Sequence, residues 1–438
     1  MAVLQPCIPR HVLPSKAYLK VWRRCQSTGI AWRSPTALDE WVEREAKPIS
    51  LRQLTVFGRS LTEARLISSA NYVRTELPTR IAHRLRDMQT LPYVVITNPH
   101  MSHVYDLYYK AFDSMRRLPE VKTVEENDKL CSIIQANLQE HLSVIPRLVS
   151  GVIECQHLVT PDTMDSLMNT ILRSRISRRV IAEQHLALTE TFHEPWHFPN
   201  AKIAEGSSEF IGEVFLRCNA KEVVDRCAKA VQDLCHHTYG SGVAIPEVKV
   251  LGHLEATLTY IPSHLEYIIG ELLRNSMQAL IERRSHPQDP PPPIEVLICE
   301  APQHVIFRIS DRGGGVPAHM VPYLWSFVKG PRKQMRLENL NKVPQLNATL
   351  QEIQVPDARA PDRADATNRK DSLGSLSIRP PDLRLGIGLP MSKVYAEYWA
   401  GSIQLHNLEG YGVDTFLQIS KLGNKNEQLS TRAAMDAL

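Results

Sequence analysis

The sequence lacks several short motifs that would assign its chemistry at once. It has no Gly-x-x-x-x-Gly-Lys-Ser/Thr loop, and neither a His-Arg-Asp nor an Asp-Phe-Gly triplet occurs. These absences exclude a P-loop nucleotide hydrolase and a eukaryotic-type protein kinase. The 8 cysteines form no Cys-x-x-Cys pair and no Cys/His spacing that suits a metal, so we expect reduced and mostly buried thiols.

An excess of charge of one sign is also missing from the chain as a whole. Its 438 residues include 51 Lys and Arg against 47 Asp and Glu, a balance that gives no support to nucleic-acid binding. No apolar run approaches the roughly 20 residues that span a bilayer. Acidic residues are absent before Asp39, whereas Arg and Lys recur among apolar and hydroxyl residues. This composition predicts a mitochondrial transit peptide and disordered leader over residues 1–45, with a basic disordered tail as the alternative.

One segment carries a pair of residues suited to phosphoryl transfer. Residues 264–279, HLEYIIGELLRNSMQA, have the periodicity of a helix and place Glu271 and Asn275 one turn apart on one face. The amide oxygen of Asn275 suits Mg²⁺, and the carboxylate of Glu271 can serve as general base for an attacking hydroxyl. Taken alone, the same pair would also fit an ordinary exposed polar face.

A strand pattern downstream ends in residues that suit a nucleotide base. Apolar residues alternate from Val305 up to Asp311, and Gly313 and Gly315 follow in a glycine run. The glycines let backbone approach a ligand closely. At a strand end, Asp311 is well placed to accept a hydrogen bond from an adenine amino group.

Two later segments add a phosphate cradle and a hydroxyl. Gly386 and Gly388 stand just before a predicted helix start, with Pro390 near its first turn. Backbone amides at a helix N-terminus bind phosphate well. Thr415 then follows a Gly-Tyr-Gly turn and begins a closing strand.

These segments, in this order, resemble the nucleotide-binding boxes of the ATPase fold shared by histidine kinases and type II topoisomerases. Segments upstream, such as 76–93 and 174–188, resemble the mitochondrial pyruvate and branched-chain α-keto acid dehydrogenase kinases, and the combined resemblance runs from about residue 49 to about 419. It implies an α+β protein with ATP and Mg²⁺ as cofactors and K⁺ as a candidate third. It also implies a matrix location, a decarboxylase subunit as substrate, docking to the lipoyl domain of the acyltransferase core, and a homodimer.

The organisation predicted from the residues has a helical bundle of roughly four helices followed by an α/β sandwich ATP-binding domain. By the resemblance, the region between the glycine segments is the ATP lid, and here it is long. Its polar composition predicts that this lid insertion is disordered, above all in its middle at 347–377. The predicted boundaries are 1–45 for the leader, 46–190 for the bundle, 191–210 for a linker, 211–425 for the ATP-binding domain with its lid insertion at 330–383, and 426–438 for the tail.

An effector site is predicted in the bundle. Arg175 and Arg179 stand at i,i+4 spacing, so two guanidinium groups can meet one carboxylate, although surface ion pairs would give the same spacing. By the resemblance, His141 belongs to the same α-keto acid site. Leu138 and Tyr267 stand where pyruvate-selective members usually have arginine and histidine, and both departures resemble the branched-chain subgroup.

The residues and the resemblance together predict a serine kinase that inactivates the decarboxylase subunit of a pyruvate or branched-chain α-keto acid dehydrogenase complex. Two alternatives remain at this point. One is a phosphotransferase of the histidine-kinase type, although Glu271 suits a hydroxyl nucleophile. The other is a non-catalytic paralogue that only docks on the complex, against which the intact Glu271, Asn275 and Asp311 argue.

Overall fold

Helices dominate the first half of the chain, and helices and strands share the second. A computed structural model of the protein describes residues 35–56, 58, 61–193, 210–240, 242–283, 290–346, 379–381 and 383–429. The combination of helices and sheets in these residues confirms the predicted α+β class. No helix within them is both long and apolar enough to cross a membrane.

Four long helices and several short ones form the N-terminal part. Thr62 and Thr123 begin two of the long helices by accepting the backbone N–H groups of Arg65 and Glu126, which would otherwise lack partners. The bundle helices pack side by side on apolar faces. In chain order the helices are α1 (Pro35–Val42), α2 (Leu51–Leu54), α3 (Glu63–Gln89), α4 (Tyr93–Ile96), α5 (Pro99–Arg116), α6 (Val124–Glu140), α7 (Val144–Glu154) and α8 (Pro161–His193).

Two predicted segments beside the bundle differ from the structure in detail. The disorder predicted up to residue 45 does not hold for residues 35–42, because α1 is helical there and buries Leu38 while Trp41 packs edge-on against Phe112. Leu38 and Trp41 are three residues apart and form one apolar helix face. The linker predicted for 191–210 starts too early, since α8 continues through His193.

The described residues of the second half form two sheets rather than one. A small sheet that was not predicted has the order β1-β2-β4, and a five-stranded mixed sheet has the order β3-β5-β6-β8-β7, with only β3 and β5 parallel. The elements are β1 (Phe210–Ile211), β2 (Val214–Asn219), α9 (Ala220–Tyr239), β3 (Val248–Gly252), β4 (Thr257–Tyr260), α10 (Pro262–Arg283), β5 (Ile294–Glu300), β6 (His304–Asp311), α11 (Lys333–Asn341), α12 (Gly388–Tyr398), β7 (Ser402–Leu408) and β8 (Gly412–Ser420).

One face of the five-stranded sheet is covered by α9, α10 and α12. Along β6, every second residue is buried, from Val305 through Phe307 and Ile309 to Asp311. This alternation follows from the two-residue period of a strand, which points successive side chains to opposite faces. The chemistry-bearing Asp311 therefore continues the buried row at the end of the strand.

The lid insertion predicted as disordered over 330–383 is ordered at its N-terminal flank. Helix α11 packs against α7 of the bundle, and Leu340, Val343 and Leu346 are buried. The backbone N–H of Leu346 donates to the carbonyl of Leu142 over 3.0 Å. A few apolar residues within a polar stretch thus anchor this flank. The average composition of the stretch is polar and therefore predicted disorder. The predicted disordered middle, 347–377, lies outside the described residues.

Helix α8 contacts the start of the same insertion. The carboxylate of Asp165 accepts the backbone N–H of Phe327 over 2.8 Å and of Val328 over 3.3 Å, and the hydroxyl of Ser326 over 2.5 Å. Arg173, two turns further along α8, pairs with Glu397 of α12. The bundle therefore holds both the lid flank and the helix that follows the second glycine segment.

The start of the predicted tail, 426–438, is built into the junction of the two halves. Glu427 is 2% exposed and accepts a charged hydrogen bond from Arg80 over 2.8 Å and the backbone N–H of Ile49 over 3.1 Å. The hydroxyl of Tyr398 donates to the same carboxylate. Residues 426–428 are consequently a structural link and do not form a free tail.

Candidate active site

Helix α10 positions the predicted base and the predicted metal ligand. Its first residue is Pro262, a position where the missing N–H costs no helical hydrogen bond. Glu271 lies on the buried side with 0% exposure, whereas Asn275, one turn later, is half-buried. An ordinary exposed polar pair is therefore excluded, and a carboxylate at this depth needs charged partners.

Two arginines supply those partners. Nη2 of Arg274 donates to Oε2 of Glu271 over 2.5 Å, and Nη2 of Arg379 reaches the same oxygen over 3.5 Å. Oε1 of Glu271 has no hydrogen-bond partner among the described residues. Neither arginine was predicted. The i,i+3 spacing of Arg274 was a usable signal, but Arg379 lies 108 residues away at the edge of a polar stretch.

Gly388 brings the N-terminus of α12 against Glu271. A β-carbon at residue 388 would lie 2.1 Å from Oε2 of Glu271 and 3.5 Å from Nη2 of Arg274. Ile387 precedes the helix and provides no side-chain cap for its first amides. Arg336 of α11 packs on Gly386 and donates to the carbonyl of Leu385 over 3.1 Å, which fixes the turn before the helix. A phosphate at these amides would adjoin the base.

Asp311, at the end of β6, forms the other end of the site and contacts α10 through Ser276. Its carboxylate accepts the hydroxyl of Ser276 over 2.8 Å and the backbone N–H of Gly313 over 2.8 Å, and the N–H of Val413 donates to it as well. Burial raises the pKa of Asp311, and these three donors oppose that rise. A carboxylate has about four acceptor positions, so one position remains for an adenine amino group. The orienting role of Ser276 was not predicted.

The remaining predicted nucleotide residues lie at the same end of the sheet. Thr415 of β8 pairs with Ile309, two residues before Asp311, and therefore shares the buried face with it. Gly313 lies so close to α10 that a β-carbon there would be 2.7 Å from the β-carbon of Ala279. Gly315 instead approaches the end of β7, where an added β-carbon would lie 2.5 Å from the carbonyl oxygen of Leu408.

The residues present fit a Mg²⁺ ion that is held mainly by phosphate. Within the described part of the chain, no group of three or more His, Cys, Asp and Glu side chains could bind a metal alone. Mg²⁺ commonly takes one or two protein oxygens together with phosphate and water. The half-buried amide of Asn275 makes no hydrogen bond to any described residue, so its oxygen is available as such a ligand.

Tyr267 lies one turn before Glu271 and is fully buried. Its ring centroid is 4.9 Å from that of Tyr395 on α12. Burial, and secondarily the charge of Glu271, raise the pKa of Tyr267 well above its ordinary value. The side chain therefore stays neutral and cannot share a proton with Glu271 near neutral pH, as an imidazole at this position would.

The predicted effector residues meet at a cavity inside the bundle. His141, Arg175 and Arg179 all line it, and Leu138 supplies part of its apolar wall. Its volume of about 40 Å³ exceeds the roughly 10–15 Å³ that one water needs, so a small acid of a few atoms is within its range. Nη2 of Arg179 also donates to Glu183 over 2.6 Å.

Arg178 is a third cation at this cavity, and sequence reasoning missed it. Its guanidinium carbon lies 4.4 Å from the ring centroid of Tyr108, and neither Nη1 nor Nη2 has a hydrogen-bond partner among the described residues. Burial, and then the charge of Arg178, lower the pKa of His141 to about 3. The cavity thus holds a neutral histidine beside three buried guanidinium groups, an environment that favours an anion.

Comparisons with known proteins agree with this architecture. Residues 48–215 match the family model described as mitochondrial branched-chain alpha-ketoacid dehydrogenase kinase. In an alignment 432 positions long, which covers 90% of this chain and 85% of the relative, the protein is 31% identical to [Pyruvate dehydrogenase (acetyl-transferring)] kinase 2, mitochondrial, of Saccharomyces cerevisiae.

More distant relatives are similar over most of their length. The [Pyruvate dehydrogenase (acetyl-transferring)] kinase, mitochondrial, of Arabidopsis thaliana is 28% identical, with 89% of this chain and 94% of the relative aligned. Isozyme 4 of the kinase with the same name in Homo sapiens is 24% identical, with 94% of this chain and 90% of the relative aligned. The similarity to the yeast kinase covers both the bundle and the ATP-binding half, and the chain accordingly belongs to the mitochondrial α-keto acid dehydrogenase kinase family.

Proposed function

We propose that the protein is a serine kinase of the mitochondrial matrix that uses Mg-ATP to phosphorylate, and so inactivate, the decarboxylase subunit of an α-keto acid dehydrogenase complex. The observation that carries the proposal is the contact between Glu271 and the N-terminus of α12. It places a buried carboxylate beside the amides that suit a terminal phosphate. From its family we also propose that the protein docks to a lipoyl domain and forms a dimer.

The reaction follows from the positions of these residues. Asp311 accepts a hydrogen bond from the adenine amino group, and the backbone amides from Gly388 onward donate to phosphate oxygens. Asn275 would be the protein ligand of a Mg²⁺ ion, which would supply positive charge beside the phosphates. The serine oxygen bonds to the terminal phosphorus while the bond from that phosphorus to the bridging oxygen of ADP breaks. The hydroxyl proton passes to Glu271.

Pyruvate dehydrogenase is the first target to test, because the relatives aligned over most of this chain are named for it. A branched-chain complex is the second, since the family model that matches carries that name and Leu138 lies in the cavity wall. The purified protein would be incubated with labelled ATP and each decarboxylase in turn, with its lipoyl core present. We expect serine phosphate on one of them.

The control for this experiment is Glu271→Gln, which keeps shape but loses the proton acceptor. We expect nucleotide binding to persist while transfer falls by roughly 10²–10⁴. Phosphate that is labile in acid and stable in alkali would show a histidine kinase instead. Binding to the complex with no transfer by the unaltered protein would show a non-catalytic relative.

A further inference from the structure

A single buried side chain joins the two chain segments that flank the lid insertion. Arg336 of α11 is 5% exposed. Its Nη2 donates to the carbonyl of Phe327 over 2.6 Å, and its Nε donates to the carbonyl of Leu385 over 3.1 Å. Phe327 precedes the insertion and Leu385 follows it. One guanidinium therefore holds together the points where the chain leaves the ATP-binding domain and where it returns.

Both of these acceptors are uncharged, which makes a buried arginine unfavourable unless its shape is needed. Burial lowers the pKa of Arg336, and the negative charge of Asp165 opposes that fall. Apolar residues of similar volume would pack in such a place with less loss of free energy. They lack the rigid planar fork of a guanidinium, which fixes two acceptors relative to each other. Arg336 therefore contributes the mutual position of the two carbonyls.

The first of the two carbonyls is fixed to the helical bundle. Asp165 of α8 accepts the backbone N–H of Phe327 over 2.8 Å and that of Val328 over 3.3 Å. Phe327 is thus held by Asp165 at its N–H and by Arg336 at its carbonyl. The side chain of Phe327 is also buried. This residue gives the guanidinium a rigid support on one side.

The second carbonyl lies just before the amides that suit phosphate. Gly386 follows Leu385 with a φ of +70°, and a β-carbon at residue 386 would lie 2.7 Å from Nε of Arg336. Gly388 begins α12 only two residues later and packs against Glu271. A displacement of Leu385 would therefore move the first amides of α12 relative to Glu271.

We propose that Arg336 is a positioning residue for the terminal phosphate of ATP. By holding Leu385 against the anchored Phe327, it keeps the first amides of α12 in the position that binds this phosphate. Arg336 acts through the backbone and does not touch the nucleotide. Asp165 is the second member of the arrangement, because it anchors the support on which Arg336 acts. This role rests on the proposed function and adds two residues to it.

The test compares the binding of ADP with that of a non-hydrolysable ATP analogue, both with Mg²⁺, in direct titrations. In Arg336→Gln we expect the Kd of the analogue to rise about 10- to 100-fold, which corresponds to one charge-assisted hydrogen bond between an amide and phosphate. The Kd of ADP should change less than about threefold, because the adenine contact at Asp311 is unaffected and ADP lacks the third phosphate. Arg336→Lys keeps the charge without the planar fork, so its loss should be intermediate.

Gln334→Ala is the matched control on the same helix. The side chain of Gln334 is exposed and donates to Glu338 one turn later, so both dissociation constants should stay unchanged. Thermal unfolding of each variant shows whether the fold is retained. Equal weakening of ADP and the ATP analogue in a folded Arg336→Gln protein would assign Arg336 a general structural role and overturn the proposal. Unchanged affinity for both nucleotides would overturn it as well.

A second variant keeps the proposal testable if Arg336→Gln does not fold. Asp165→Ala removes the anchor of Phe327 and leaves Arg336 in place, so the Kd of the analogue should rise about three- to tenfold while that of ADP is unchanged. Asp162→Ala is its control, because Asp162 is 84% exposed and pairs with Lys329 of the same flank at the surface. An equal loss in both aspartate variants, or no loss in Asp165→Ala, would contradict the proposal.

The double variant shows whether the two residues act through one chain of contacts. If Arg336 acts on the support that Asp165 anchors, Asp165→Ala should weaken the analogue little further in the Arg336→Gln background. Additive losses would mean that the residues act by separate routes, and the proposed link from the bundle to the phosphate would be wrong. These titrations need no protein substrate, so a failure to phosphorylate either decarboxylase would count against the proposed function alone.

Discussion

Gly388 and Glu271 are packed so closely that a β-carbon on residue 388 would lie 2.1 Å from the Oε2 atom of Glu271. Nothing larger than a hydrogen atom fits between helix α12 and the proposed base. The contact therefore fixes how near a phosphate at the helix N-terminus lies to the group that takes the proton.

The first prediction follows from this contact. Gly388→Ala should displace Glu271 or tilt α12, because the neighbouring atoms are held by Arg274 and cannot simply retreat. We expect phosphoryl transfer to fall by about 10²-fold, the cost of misplacing a reacting group by about 1 Å. Initial rates with saturating ATP would measure the loss. Gly242→Ala is a comparison for glycine loss as such, since its φ is not positive and no atom lies within 4 Å of its added β-carbon.

The second prediction concerns recognition of the adenine ring by Asp311. Ser276→Ala removes the hydroxyl that donates to Asp311, so the carboxylate loses one of three bonds that orient it. We expect the Kd of ADP to rise about three- to tenfold, which corresponds to one ordinary hydrogen bond. Isothermal titration would measure it, with the exposed Ser132→Ala as control. An unchanged Kd would mean that Asp311 does not bind the adenine amino group.

The third prediction concerns the bundle cavity. A branched aliphatic α-keto acid should inhibit weakly, since Leu138 adds apolar wall and Arg175 can pair with the carboxylate. Arg175→Ala should abolish this inhibition and leave nucleotide affinity unchanged in the absence of the acid. Inhibition curves for pyruvate and the branched acid would be compared in both proteins. The same inhibition in the variant would dismiss the cavity as an effector site.

The fourth prediction concerns acid stability. The pKa of His141 is about 3 in the folded protein, against an ordinary value of 6.5. Below pH 6.5 the unfolded chain therefore binds a proton at this residue, whereas the folded protein does not. This difference lowers the free energy of unfolding by about 2 kcal/mol between pH 7 and pH 5. His141→Gln should remove that part of the loss. Urea unfolding of both proteins at the two pH values would show it.

An anion in the cavity should reverse part of this effect. A carboxylate beside Arg175 and Arg178 offsets the charges that disfavour protonation of His141. Because burial is the main cause of the lowered pKa, His141 should still be neutral between pH 6 and pH 8, so we expect binding of the keto acid to be nearly independent of pH in that range. Proton uptake on binding at pH 6 would contradict this expectation.

Local patterns predicted the parts of the site that lie on single elements. Glu271 and Asn275 are four residues apart on one helix, and the row that ends in Asp311 has the two-residue period of a strand. Arg379 and Ser276 were missed because their partners lie 108 and 35 residues away, and no sequence period encodes such contacts.

Short strands and composition caused the other errors. Strand β1 has two residues and β4 has four, too few for any alternation to be visible. Helix α11 was not predicted because the lid insertion is polar on average, although its residues Leu340 and Leu346 are buried in the structure. In α8, the prediction used only the i,i+4 pair of Arg175 and Arg179. Arg178, one turn after Arg175, lines the same cavity and was left out.

The carboxylate of Glu427 has a consequence for the order in which the protein is completed. It binds the backbone of Ile49, a residue 378 positions earlier, and also bridges Arg80 of the bundle and Tyr398 of α12. On a ribosome the bundle emerges and can fold long before this residue has been synthesised. Docking of residues 426–428 is then a late event of maturation, and it joins both halves of the kinase in a single step.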